Sequence, residues 1–501
     1  MVVGGGATGV GISLDAASRG LDVLLLEQSD FGKGTSSRST KLVHGGVRYL
    51  KQGNITLVRD ALRERTLLRS NAPHLVHELP FLIPCRSRWE RFFYGTGLKL
   101  YDALAQRRSF GRSYSVSQAT ALKLIPLLRS ERLSGGVVYT DGQFDDARLL
   151  ISMARTASDL GACQLNHVAV TELTQDRDGK LTGATAVDGE SGESHSVAAR
   201  CVVNAAGPFC DTVRKLDDPT CEPMVTASQG VHIVLPLSFL AGETALMVPK
   251  TSDGRVLFVI PWHGHALVGT TDTPIERATL EPRHTKDEVR FLLETAAQYL
   301  TKAPTEGDVL SVFTGVRPLV KGDASARTAS LSRDHVIRVS PAGLITITGG
   351  KWTTVRKMAE DCVDRVLVEL GEGHRPCRTE TLRLHGYIEA PAGKGPRAVY
   401  GSDAAGLEAL ETERPELADP LHVSLTLRGS DVVWAVRHEM ARTVEDVLAR
   451  RSRALVLNAR AALATAPRVA QLMAAELGHD ETWCNSQVEQ FGQLAKGYFD
   501  V

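Results

Sequence analysis

The 501-residue chain lacks any uninterrupted apolar run of the roughly eighteen residues that a membrane-crossing helix needs. The nearest, Val231 to Pro249, is broken by His232, Gly242 and Glu243, so the chain is not expected to span a membrane. It also lacks net charge. Its 58 basic and 58 acidic side chains cancel, which removes the global positive field that nucleic-acid binding would use and leaves only local basic patches. Eight cysteines occur without a C-x-x-C pair or a His–Cys cluster at zinc spacing. That excludes a recognisable disulfide framework and predicts no metal, fitting reduced, mostly buried thiols in a cytoplasmic protein. A glycine fingerprint that starts at residue 4 leaves no room for a leader peptide, and the short first strand suggests that a few native residues are missing ahead of it. No internal repeat is evident. What is present is an ordinary globular composition, 43% hydrophobic and 23% charged, at a length that implies two or three domains.

The opening stretch carries the densest chemistry. Val2 and Val3 end a short strand, Gly4, Gly6 and Gly9 form G-x-G-x-x-G around Ala7 and Thr8, and Val10 to Arg19 continue as a small-residue helix that stops at Gly20. A second strand, Asp22 to Leu26, ends in Glu27. In that order Gly4 serves the tight turn, Gly6 the backbone's approach to a pyrophosphate, and Gly9 close packing of helix on strand. The helix N-terminus offers N–H groups and a positive dipole end to the pyrophosphate. Glu27 can accept hydrogen bonds from an adenosine ribose. The fingerprint alone does not separate NAD from FAD.

Downstream, Asn54 is a cap for an amphipathic helix through Leu68 that Asn71 and Pro73 stop, and a helix is predicted from about Asp146 to Leu160, ending at Gly161. Asp178-Gly179 and Ser191-Gly192 are hairpin signals, ahead of the strand Cys201 to Val203 and the small residues Asn204-Ala205-Ala206-Gly207-Pro208. Strand-like runs between Val225 and Val316, with a helix near Thr285 to Tyr299, suggest a mostly antiparallel sheet. Leu344 to Thr348 form a further strand into Gly349-Gly350-Lys351-Trp352-Thr353-Thr354, which opens a helix to about Leu370. A Gly- and Pro-rich break near 375 to 400 precedes an alanine-rich helical end, where Ser430 is a plausible cap and Thr443 with Asp446 starts another helix.

The segment TSSRSTKLVHGGVRYL, Thr35 to Leu50, resembles the stretch that wraps the flavin in the FAD-dependent glycerol-3-phosphate dehydrogenases, within the glycine-oxidase and amino-acid-oxidase superfamily. VRHEMARTVEDVLARRSR resembles the helical C-terminal domain of the same family, so the likeness covers nearly the whole chain. It implies an α/β fold: a Rossmann-like FAD-binding domain with an inserted antiparallel-sheet substrate domain, plus a C-terminal α-helical domain. The boundaries expected are 1–375 for the oxidoreductase core, with the insert at about 81–139 and 221–316, and 376–501 for the helical domain. FAD is expected to be held without a covalent link by Gly4, Gly6, Ala7, Thr8, Gly9, Glu27, Thr35, Ser36, Ser37, Lys41, Leu42, His44, Gly45, Val168, Ala206, Gly207, Gly350, Lys351, Trp352 and Thr353. The resemblance implies oxidation of sn-glycerol 3-phosphate to dihydroxyacetone phosphate with electrons passed to a membrane quinone. His44, Arg48, Arg317 and Lys351 are the catalytic candidates, and Arg48, Tyr49, Thr271, Asp272, Arg317 and Lys351 the substrate ligands. Arginine forks and a lysine suit a phosphate of about −1.5 to −2. His44 is the candidate base, Asp272 a less favoured one, while His232 and His335 read as structural. Arg38 and Trp352 depart from residues common in the family and leave the shape over the flavin open. The rivals are an oxidase of an amino acid or 2-hydroxy acid and a non-catalytic flavin-binding protein.

Cys85 to Arg112 sets seven Arg or Lys against Glu90 and Asp102, a net +5, among Trp89, Phe92, Phe93, Tyr94 and Tyr101. Such a mixture suits a lipid surface, and predicts a peripheral enzyme on the cytoplasmic face of the inner membrane. The oligomeric state is left open, a homodimer included.

Overall fold

The computed structural model describes residues 1–47, 54–105, 110–321, 335–389 and 395–500. Arg48 and Tyr49, like Arg107 and Arg108, lie outside them. A six-stranded sheet runs in the order His335–Val339, Ile345–Gly349, Val203–Asn204, Val2–Val3, Leu24–Leu26, Cys163–Leu165. All its pairs are parallel except the one between His335–Val339 and Ile345–Gly349. The helix Ala7–Ser18 is buried almost throughout because its small residues admit neighbours on both sides: a Cβ on Gly11 would lie 3.4 Å from both Met153 and Val355. Strands Val168–Gln175, Leu181–Asp188 and Ser194–Ala198 form an antiparallel sheet of two hairpins turning at Gly179 and Gly192, both at positive φ.

A ten-stranded sheet draws on Leu42–Val43, on strands between Val76 and Phe144 and on strands between Val225 and Val320. It is antiparallel but for one short pair, Ala245 and Leu246 beside Phe81 and Leu82. Asn54 caps the helix Ile55–Asn71 by accepting from the Leu57 N–H at 3.1 Å. Asp145 caps Asp146–Asp159, and Thr285 with Glu288 forms a full capping box for Lys286–Ala297.

The C-terminal part is helical, and its apolar side chains, Leu457 and Phe491 among them, join one core with Phe81, Tyr139 and Phe313 of the large sheet. Ion pairs fix its orientation on the first sheet: Arg451 binds Asp30 at 2.6 and 2.8 Å, and Arg148 binds Glu439 through two bonds of 2.7 Å. Among the described residues Asp30, His167 and Asp446 gather three potential metal-ligand atoms, but Arg450 and Arg451 already neutralise these carboxylates. Thr443 and Asp446 do cap one another, each side chain taking the other's backbone N–H. Ser430 does not act as expected: it sits one residue inside the helix Gly429–His438, Arg428 occupies the cap position, and the serine hydroxyl donates to Glu411. All eight cysteines are free thiols, and only Cys85, Cys210 and Cys362 are fully buried. Cys163 is exposed because its strand is the outermost of the first sheet.

Among the described residues no helix is long and apolar enough to cross a membrane. The helix Arg88–Ala105 instead turns apolar side chains outward, with Trp89 70%, Phe92 64%, Phe93 52% and Leu100 51% exposed. Two members of the expected lipid-facing set point the other way. Tyr101 is buried with its hydroxyl on Asp141, and Arg91 donates to the backbone carbonyls of Val116 and Ser134.

Candidate active site

The turn at Gly4 to Gly9 is shaped by missing side chains. Gly4 has φ +107°, and a Cβ there would meet the Ala205 carbonyl oxygen at 2.9 Å, while one on Gly9 would lie 1.9 Å from the Gly4 carbonyl oxygen. Gly6 caps the helix without any side-chain hydrogen bond, and Ala7 N–H donates to Ser36 Oγ at 2.9 Å. Glu27 accepts from Gly5 N–H at 2.6 Å and Ser29 N–H at 2.9 Å. Burial pushes its carboxyl up, against the pull of those two N–H groups. Val168 N–H bonds the Glu27 carbonyl at 2.8 Å, and Ala206 N–H bonds Asn204 Oδ1 at 3.2 Å beside Gly207 at φ +55°. A glycine floor, a helix N-terminus and an acid at the end of the second strand are what a dinucleotide pyrophosphate and ribose require. The residues present fit FAD.

Thr35–Ser37 make one tight helical turn, and Trp352 closes over it, donating from Nε1 to the Ser36 carbonyl at 2.9 Å and meeting Phe144 edge-on. Arg38 turns away to Leu280 O and Glu281. The fully buried ammonium of Lys41 binds Asp146, at 2.7 and 2.8 Å, and Ser37 O at 2.7 Å, tying the wrapping segment to the helix Asp146–Asp159. His44 N–H donates to Thr353 Oγ1 at 3.2 Å, joining the wrapping segment to the G-G-K-W-T-T turn, where Gly350 has φ +73°.

Two adjoining cavities, about 170 and 240 Å³, share Thr40, Leu42, His44, Phe258 and Arg317. The larger is walled by Gly349 to Thr353, Lys351 included, and by His232; the smaller by Thr270, Thr271, Asp272 and an apolar end at Phe81, Tyr139 and Met247. Arg317 stands between them. Its guanidinium donates to Asp272 Oδ1 (3.1 Å), Gln229 O (3.2 Å), Thr270 Oγ1 (3.2 Å) and Thr271 O (3.1 Å). Asp272 also accepts from Ser228, so it is held as the arginine's counter-ion rather than as a base. The Thr271 hydroxyl, expected to meet substrate, is committed to Glu288 and Val231 N–H instead, while Thr270 presents its hydroxyl to Arg317.

His232 was missed. Its ring stacks on Phe313 at 4.8 Å, and Nε2 pairs with Thr40 Oγ1 at 2.9 Å. Burial, followed by the charges of Arg317 and Lys41, holds the imidazole well below its usual range and hence neutral. The signal was the period-two pattern Ser228, Gly230, His232, which shares one face of the strand Val225–Pro236. Ser228 meets Asp272, and a Cβ on Gly230 would lie 2.3 Å from Arg317. His335 pairs with Asp361, away from both cavities.

Residues 1–356 match the family model of FAD-dependent oxidoreductases, and residues 345–484 that of the C-terminal domain of α-glycerophosphate oxidase. The chain is 39% identical to the mitochondrial glycerol-3-phosphate dehydrogenase SDP6 of Arabidopsis thaliana, over 100% of this chain and 86% of that one. The structure resembles the glycerol-3-phosphate dehydrogenase from Bacillus halodurans complexed with FAD, with a TM-score of 0.82, 31% identity, and 100% and 94% of the two chains covered. Glycine oxidase from Geobacillus kaustophilus shares the fold alone, at 19% identity and a TM-score of 0.54 over 76% of this chain and 97% of that one.

Proposed function

The chain belongs to the FAD-dependent oxidoreductases, and from that premise we propose that it oxidises sn-glycerol 3-phosphate to dihydroxyacetone phosphate and passes the electrons to a membrane quinone. The observation that carries this is Arg317, aimed by four acceptors into the wall common to both cavities, with Lys351 in the wall of the larger. Bound FAD supplies the hydride acceptor. Arg317, Lys351 and, through the family likeness, Arg48 and Tyr49 meet the phosphate and orient the carbinol carbon. His44, in the wall of both cavities, takes the hydroxyl proton. The neutral His232, paired with Thr40, lines the same wall without adding charge.

An oxidase of an amino acid or 2-hydroxy acid would need only one cation for a carboxylate, and the set here is larger. Anaerobic mixing of the FAD-loaded protein with glycerol 3-phosphate, glycine, proline and 2-hydroxyglutarate decides. Bleaching by glycerol 3-phosphate alone is expected. Bleaching only by a carboxylate substrate overturns the assignment, and no bleaching by any of them leaves a flavin-binding protein without catalysis.

A quinone dissolves in the bilayer, so the enzyme is inferred to dock on the lipid surface from its cytoplasmic side. The outer face of Arg88–Ala105 supports this, because Trp89, Phe92, Phe93 and Leu100 follow one another at helical spacing and stand in solvent.

A further inference from the structure

Tyr139 to Asp146, Y-T-D-G-Q-F-D-D, reads in sequence as strand and helix start and takes no part in the function above. In the structure this stretch backs the part of the wrapping segment from Ser39 to Gly45. Asp146 holds Ser39 and Lys41. Gly142 and Gln143 pair with Val43 and Leu42, and a Cβ on Gly142 would lie 2.5 Å from the Val43 carbonyl oxygen.

Asp141 is the pivot of this backing. It is 2% exposed, yet it lines the smaller cavity together with His44. Its Oδ1 accepts from Arg65 Nη1 (2.6 Å), Gly142 N–H (3.0 Å) and, at the longer distance of 3.4 Å, Gly45 N–H; its Oδ2 accepts from the Tyr101 hydroxyl (2.8 Å). Three donors from separate parts of the chain, with the neighbouring Gly142 N–H, thus converge on one carboxylate, which cannot shift without breaking several charge-assisted bonds. The packing is equally tight: a Cβ on Gly45 would lie 2.3 Å from the Tyr101 hydroxyl oxygen and 2.6 Å from Leu62 Cδ2. Burial and the Asp141 charge push the Tyr101 phenol well above its usual range, so it stays a donor.

We propose that Asp141 is a positioning residue for substrate oxidation: with Tyr101 and Arg65 it pins the Gly45 backbone, and through it the His44 side chain, in the cavity wall. The inference rests on the reading of His44 given under Proposed function. Misplacing a reacting group by about 1 Å can cost on the order of a hundred-fold in rate, so small losses of fixation are measurable.

The test uses the FAD-loaded full chain. In Asp141→Asn the limiting rate of anaerobic flavin reduction by glycerol 3-phosphate should fall at least about ten-fold, and in Tyr101→Phe about three- to ten-fold. Half-saturation by substrate should stay within about two-fold in both, because the phosphate ligands are untouched. Amide exchange across residues 42–47 should quicken in both variants, a readout independent of turnover. Parental rates and parental exchange in folded, flavin-holding variants overturn the proposal. If Asp141→Asn does not fold, Tyr101→Phe, which loses a single hydroxyl, decides alone. If glycerol 3-phosphate fails to bleach even the parent, the functional reading fails, and unchanged exchange in the variants would still overturn the positioning role separately.

Discussion

At the turn Gly4 to Gly9 the side chains that are missing make the site, whereas along the helix Arg88–Ala105 the side chains present and uncovered set the surface apart. A Cβ at Gly9 would sit 1.9 Å from a backbone oxygen, a distance no rotamer can relieve. Trp89, by contrast, is 70% exposed and has no fold to disturb. Gly4 and Gly9 therefore tolerate no side chain, as the cofactor-holding role proposed for the turn requires. On the outer face of the second, Trp89, Phe92, Phe93 and Leu100 stand largely in solvent, an exposed apolar patch of the kind that marks an interaction surface. The same helix shows both rules at once, since its inner Tyr101 is as confined as the glycines.

The largest effect expected of any single change follows from the first half of that contrast. Gly9→Val should leave a protein with little or no FAD, because the side chain can be placed only by moving the Gly4 turn. The flavin-to-protein ratio after purification measures this, and near-stoichiometric flavin would mean that the turn is not rigid. Next comes Arg317→Ala. Charge-assisted bonds of about 1.5–3 kcal/mol predict a loss of roughly ten- to two-hundred-fold in kcat/KM. FAD should stay bound, since the four acceptors that orient Arg317 are all protein groups and none belongs to the glycine turn.

The contrast also separates what the sequence disclosed from what it hid. Gly4, Gly6, Gly9 and Glu27 were legible because the turn is local and its spacing is set by the backbone. The caps at Asn54 and at Thr443 with Asp446 were legible for the same reason. The side-chain partners of Lys41, Thr271 and Tyr101, namely Asp146, Glu288 and Asp141, were not legible because they lie 105, 17 and 40 positions away along the chain. No local pattern distinguishes a lysine facing a ligand from one facing a buried aspartate. His232 was hidden differently: an apolar strand makes a histidine look like core, and only the pairing with the strand Ser311–Val320, which brings Arg317 opposite Ser228, shows the cavity.

The second half of the contrast yields a smaller effect, on location rather than chemistry. Replacing Trp89, Phe92 and Phe93 together with Ser should move the protein from anionic vesicles to the supernatant, with binding weakened at least about ten-fold even if each ring buries only part of its apolar area. Arg91 is left intact, because it serves the fold through Val116 and Ser134. Anaerobic flavin reduction should be unchanged. Co-sedimentation equal to the parent's would remove the helix as the docking element and leave its aromatics without a partner.

The smallest effect is a shape rather than a loss, and it asks which cavity wall supplies the base. An imidazole works as a proton acceptor only when neutral, and an unperturbed one titrates near 6.5. If His44 accepts the proton, the limiting rate at saturating glycerol 3-phosphate should fall on the acid side as the imidazole takes up a proton. His232 cannot produce that limb. Burial against Phe313, followed by the charges of Arg317 and Lys41, holds its imidazole well below the usual range and so neutral near neutral pH. The limb should therefore survive in His232→Gln, at whatever absolute rate that variant retains, and vanish in His44→Gln. An acid limb that persists in His44→Gln would take the role away from the wrapping segment.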